Sequence, residues 1–178
     1  MADIVDLGEY RSENLEYRVF GLWKKRFGRS FSKETSLEDL SDEVVFYLAQ
    51  PGEQSAHAIY EFVMGILKLG PGNKFDYLEK PEKFLVMDIH LFLADLFRFE
   101  MMRRLGWVEP IFCGKFNLIE LVEQFDRYKN FCLDKPPVLC ATHPDHASYM
   151  QLHERDREGF IRRLLPGALE IFKRKITT

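Results

Sequence analysis

The 178-residue sequence predicts an all-α protein: a single-domain bundle (1–178) of about six or seven helices around a central, very apolar helix at about 82–105. Three observations lead to that expectation. Apolar residues recur at helical spacing almost throughout, and no alternating run is bounded by hairpin punctuation. Three segments end alike, in "KKRFG" (24–28), "LKLG" (67–70) and "RRLG" (103–106). Each places positive charge ahead of an apolar residue and a glycine, which suits the negative end of a helix dipole and a left-handed C′ position. Hydrophobic residues make up 46% of the chain and 16 of them are phenylalanine, so core material is ample. A chain of this length buries about 70% of its unfolded surface.

Taken in order, a first helix runs over about 9–27, with Leu15, Val19, Leu22, Trp23 and Phe27 on its buried side. In "SLED", Ser36 as N-cap and Asp39 at the third helical position start a second helix that continues to about 49, ahead of "QPGE". A third, about 53–69, buries Ile59, Phe62, Val63, Ile66 and Leu67. The loop "GPGNKFDYLEKP" leads to the fourth, whose apolar residues cover nearly its whole circumference. Such a helix is enclosed by others or has one side covered by a second subunit.

Asn117 and Glu120 make a capping-box-like start for a fifth helix ending near 131. After "LDKPPV", where "PVLCA" reads as briefly extended, a sixth covers about 144–164 with Thr142 as its N-cap. Pro166 breaks or kinks it before a short terminal helix.

A formal net charge of −3 gives no global field for nucleic acid. Three cysteines, an odd number without paired spacing, suit a reducing compartment. The N-terminal run "MADIVDLGEYRSENLEYR" lacks a basic region followed by an apolar stretch, so no secretory signal is expected. Asp88, His90, Asp95, Arg98 and Glu100 interrupt the apolar segment 84–102. Each charge at mid-bilayer costs roughly 2.5–3.5 kcal/mol, which favours a cytoplasmic protein without a membrane role.

Four clusters are candidate sites. Cys140, His143 and His146 have Cys-x2-His-x2-His spacing, and thiolate with imidazole suits zinc. A helix start at Thr142 weighs against it, because the positive end of a helix disfavours a cation. Glu53, His57 and Glu61 form an i, i+4, i+8 stripe that could ligate metal, but it reads more simply as a solvated face. Asp88 and Asp95 lie two turns apart on the apolar fourth helix, where buried carboxylates need partners. Arg98 can serve Asp95 locally; Asp88 calls for an arginine from another helix. "LWKKRFGRSFSK" (22–33) interleaves basic and aromatic residues as a single-strand nucleic-acid site or a segment on an anionic membrane surface would, or, more simply, as a helix end with a buried stripe would.

The densely charged 153–167 reads as a salt-bridged surface, and neither Cys113 nor Cys132 has an activating neighbour in sequence. No phosphate loop, nucleophile elbow or metalloprotease motif is present. The expectation is therefore a non-catalytic helical protein without a cofactor, acting by protein association or by binding a small apolar ligand, and homodimeric. The alternative is a metal-assisted hydrolase using Cys140, His143 and His146 or the central carboxylates. A further alternative is nucleic-acid binding through 22–33.

Overall fold

The structure is a computed structural model that describes the backbone of residues 7–178 and side chains from Asn14 onward. The reading of residues 1–6 as free of a signal segment lies outside it. The protein is all-α. Among the described residues nine α-helices follow in order: α1 Leu7–Phe27, α2 Asp42–Ala49, α3 Glu53–Leu67, α4 Lys80–Arg104, α5 Leu118–Glu123, α6 Phe125–Asp134, α7 His146–Met150, α8 Glu154–Arg163 and α9 Leu165–Thr177. Short 3-10 helices lie at Gly72–Tyr77 and Phe112–Lys115. Among the described residues no helix is long and apolar enough to cross a membrane.

Two of the three glycine helix ends fold as expected; α3 ends at Leu67, where Lys68 rather than Gly70 takes the left-handed cap position at φ 58°. Gly28, Gly70 and Gly106 all take positive φ, at 63°, 92° and 75°. At the end of α4 the Gly106 amide donates to the Arg103 carbonyl (2.9 Å) and the Trp107 amide to that of Met102 (3.0 Å). That is the double closure of a Schellman turn, and it satisfies carbonyls the helix leaves free.

The core begins with an aromatic cluster. Trp23 of α1 stacks on Phe62 of α3 at 4.7 Å between centroids, and Phe20 meets Phe62 at 5.3 Å and Phe31 at 5.4 Å. The Trp23 indole donates to the Ala58 carbonyl at 2.7 Å, so its polar atom is satisfied inside the core. Phe20 is wholly buried whereas Leu22, expected on the buried side, is 43% exposed. The buried face of α1 is centred on Val19, Phe20 and Trp23.

Ser36 does not start a helix. Its amide and hydroxyl both donate to Asp39 at 2.8 Å, as a cap would, yet α2 begins at Asp42 with Ser41 as its N-cap. The backbone around Ser36 is committed elsewhere: the Leu118 amide donates to the Thr35 carbonyl (2.9 Å) and the Glu38 amide to Gly114 (3.1 Å). Those cross-chain bonds leave the segment unable to close helical ones.

Two expected helices are divided. The fifth breaks at Gln124, which is off helical geometry between α5 and α6. The sixth breaks after α7, where His153 is extended. Tyr149 and Ile161 are both buried, though twelve positions apart they would face about 120° from each other on one straight helix. Breaking the helix lets both reach the core. Thr142 and Pro144 precede α7, which begins at His146, so Thr142 is not its cap. Pro166 opens α9 within its first turn, and "PVLCA" is extended where Leu139 bridges to Val108.

Only the C-terminal half of α4 is enclosed. It packs against α2, α3 and α9, and Leu93, Phe97, Met101 and Met102 are fully buried. The N-terminal half exposes Phe84, Leu85, Met87 and Leu91 by 39–56%, so the expected all-round enclosure fails there. Glu100, completely buried, accepts from Arg103 twice at 2.8 Å and from Arg104 at 2.7 Å. Arg104 extends the network to Asp42 (2.9 Å), whose other oxygen meets Lys175 of α9 at 3.0 Å. Burial opposes ionisation of Asp42, but its bonds to Lys175 and Arg104 outweigh it and hold the carboxyl below its ordinary range.

Candidate functional site

One side of α4 forms the wall of a groove of about 300 Å³. Asp88, Leu91, Phe92, Asp95 and Phe99 follow one another at helical spacing along that wall. Opposite it stand α6, the strap 111–113, residues 135–137 and the start and end of the α8 face carrying Glu158 and Arg162. The lining is mainly apolar, with charges from Asp88, Asp95, Lys129, Lys135, Glu158 and Arg162. Lys129 and Lys135 are both exposed there; the Lys135 ammonium lies 4.3 Å from the Phe112 ring centre and that of Lys129 5.2 Å from Phe125.

Asp88 and Asp95 thus line the same groove, as their seven-residue spacing suggests, but their partners are exchanged. Arg162 of α8 reaches Asp95, donating to both oxygens at 2.7 and 2.9 Å. Arg98 is farther, 3.5 Å from Asp95, and its Nε donates to the Ala49 carbonyl. Asp88 is exposed and has no ion pair among the described residues, so the inter-helix arginine expected for it serves Asp95. Arg162 also takes Glu158 at 2.6 Å and lies over the Phe99 ring. Its bond to Asp95, above all, pushes its pKa up despite burial. The charged 153–167 segment is therefore more than a solvated surface: it ties α8 to α4.

His90, on another sector of α4, packs at a tilt against Tyr60, 4.9 Å between ring centres. Burial, followed by the positive charge of Arg98, lowers its pKa.

Sulfur forms part of the groove lining. Cys113 of the 3-10 turn and Cys132 of α6 both line it, with their Sγ atoms 2.9 Å apart. Cys113 is fully buried and Cys132 partly exposed. The hydrogen bond between them lowers the Cys132 pKa, and the same contact with burial pushes Cys113 up. Each cysteine is the other's missing neighbour. A separation of 19 residues in the chain hides this from any short-motif reading.

The other candidates come apart. Cys140, His143 and His146 are partly buried, buried and partly buried in that order. The His143 Nδ1 accepts from the Asp145 amide at 3.1 Å and its ring sits edge-on to Trp107. Among the described residues no group of three or more His, Cys, Asp or Glu side chains is placed to hold a metal ion, so this trio does not converge as ligands. Burial, with Glu109 nearby, raises the Cys140 pKa.

The Glu53–His57–Glu61 stripe is not a uniformly solvated face. Glu61 is 7% exposed, paired with Arg26 of α1 at 2.6 Å and 3.3 Å from His57, while its Oε2 is buried without a hydrogen bond. In 22–33 the aromatic rings of Trp23, Phe27 and Phe31 pack on one another, while the basic residues face outside.

Comparison of the chain with protein-family models, with curated proteins and with solved structures found no match.

Proposed function

We propose that the protein binds a small, mainly apolar ligand in the groove between α4, α6 and α8, without catalysing a reaction on it through the α4 carboxylates. The observation that carries this reading is a mainly apolar lining in which Asp95 and Arg162 are already paired with each other. Apolar walls supply the binding energy, and a few polar groups at a mouth orient a ligand. Asp95 is already saturated by Arg162 on both oxygens, which suits a rigid wall better than a proton carrier. A cytoplasmic setting goes with this reading, since three free cysteines suit a reducing compartment.

The test is titration with a neutral fluorescent apolar probe, N-phenylnaphthylamine. Leu133 lines the groove yet is 68% exposed, so Leu133→Glu places a charge in the mouth without opening the core. Saturable binding that weakens about tenfold in Leu133→Glu supports the proposal. Binding that is absent, or indifferent to the substitution, removes it.

A second reading, self-association, is favoured by the exposed apolar stripe Phe84, Leu85, Met87 and Leu91 on α4. Two copies of one helix face pair naturally about a two-fold axis. Light scattering that reports a monomer over a broad concentration range would end this reading and leave the ligand reading intact.

A further inference from the structure

We propose that Cys113 and Cys132 form a reversible dithiol–disulfide couple that exchanges with disulfide-bearing molecules entering the groove. The proposal shares the groove with the ligand-binding reading but stands on the sulfur pair itself.

The geometry is nearly that of the product. A disulfide bond is about 2.05 Å long, so the sulfurs at 2.9 Å need to close by less than about 1 Å. The elements that carry them are already packed together. Phe112, next to Cys113, meets Phe131, next to Cys132, at 5.7 Å, and Phe116 meets Tyr128 at 4.8 Å. These aromatic contacts on both sides of the pair hold the strap against α6.

Exposure then assigns the order of events. Of the pair, Cys132 is partly exposed and Cys113 fully buried, so an incoming disulfide meets Cys132 first. The two sulfurs share a hydrogen bond, which favours the thiolate on one of them while the other keeps its proton. A partly exposed sulfur in contact with a fully buried one suits an attacking and a resolving thiol.

The steps balance as follows. The Cys132 thiolate attacks one sulfur of a disulfide R–S–S–R, forming Cys132–S–S–R. The old S–S bond breaks and R–S⁻ leaves, taking a proton from water. Cys113 then loses its proton to solvent, and its thiolate attacks the Cys132 sulfur. The mixed disulfide breaks, the second R–S⁻ leaves and is protonated, and the Cys113–Cys132 bond is complete. Two electrons pass from the dithiol to the substrate disulfide, which becomes two thiols. Two thiols run the same steps backward.

The experiment treats the reduced wild-type protein with hydroxyethyl disulfide, quenches with acid and maps every sulfur by peptide mass spectrometry. The expected map joins Cys113 to Cys132, formed about tenfold or more faster than any modification of Cys140, which serves as the internal control. Dithiothreitol should reopen the bond in the folded protein. In Cys113→Ala the reaction should stop at a hydroxyethyl mixed disulfide on Cys132. The wild-type map decides the proposal independently of how that variant folds. Either of two results overturns it: a wild-type chain carrying hydroxyethyl adducts or free thiols at both positions with no internal bond, or an internal bond that opens only after denaturation. Neither result bears on N-phenylnaphthylamine binding, so failure of the sulfur chemistry and failure of the ligand reading remain separate.

Discussion

Arg162 of α8 clasps Asp95 of α4 with two parallel hydrogen bonds of 2.7 and 2.9 Å, joining residues 67 positions apart. Two-pronged guanidinium–carboxylate pairs are the more geometrically specific ion pairs. Here the side chains are 44% and 27% exposed, so solvent screens the attraction. Asp95→Asn should therefore cost only about 1 kcal/mol, and less at high salt. A double-mutant cycle with Arg162→Met, read by urea denaturation, measures the coupling. A coupling near zero at low salt would show that the clasp does not hold α8.

Glu100 should behave differently, because its carboxylate is completely buried between Arg103 and Arg104. Removing one member of a buried ionic group leaves its partners uncompensated, at a cost of roughly 3–5 kcal/mol. Glu100→Ala is expected to lose that much in a urea titration. Arg29 and Glu43 supply the contrast, at 3.4 Å with both side chains more than half exposed. Glu43→Gln should cost less than about 0.5 kcal/mol, and equal losses for the two substitutions would contradict the burial argument.

His90 gives the fold a pH dependence of definite sign. Its pKa is lowered in the folded protein, first by burial and then by Arg98. The unfolded chain therefore binds the proton more readily. The stability held in this neutral imidazole is complete above the unfolded value of about 6.5, and is lost as pH falls through the folded one. The slope cannot exceed about 1.4 kcal/mol per pH unit for one proton. His90→Phe retains a ring against Tyr60 and removes the proton. Thermal melts between about pH 7 and pH 5 should fall more steeply for the wild type than for the variant. Parallel curves would assign the slope to other groups.

The features legible in the sequence were those that depend on near neighbours. The glycines at 28 and 106 end helices because a left-handed residue closes the turn just before it, a local requirement, whereas in "LKLG" Lys68 takes that role ahead of Gly70. Asp88 and Asp95 share a wall because helical spacing alone puts them on one side. Ser36 misled because a capping pattern cannot reveal that its backbone pairs with a distant segment; the isolated bridge to Asn117 is a tertiary fact. Phe20 displaced Leu22 from the core because the position of α3 selects the buried sector of α1. The sulfur pair was invisible for the same reason: Cys113 and Cys132 meet only when the strap folds onto α6.

That positioning of α1 on α3 rests on Gly65, and it yields a paired prediction. A Cβ built on Gly65 would lie 2.8 Å from the Arg18 carbonyl oxygen and 3.2 Å from the Val19 Cα, both backbone atoms of α1. No side-chain rotation can relieve such a contact; α1 itself must move away. The Arg18 Nε also donates to the Gly65 carbonyl at 2.8 Å, so a retreat strains a bond as well as the packing. Alanine is worth about 1 kcal/mol over glycine inside a helix, whereas overpacking a core costs about 1–3 kcal/mol. The clash should win, and Gly65→Ala should lower Tm. Gly159 in α8 reverses the balance, because a Cβ there would meet nothing within 4 Å. Gly159→Ala should raise stability by about 0.5–1 kcal/mol through helix propensity alone. Opposite signs from two identical substitutions would separate close backbone approach from propensity. A stabilising Gly65→Ala would mean that α1 does not approach α3 as closely as 2.8 Å requires.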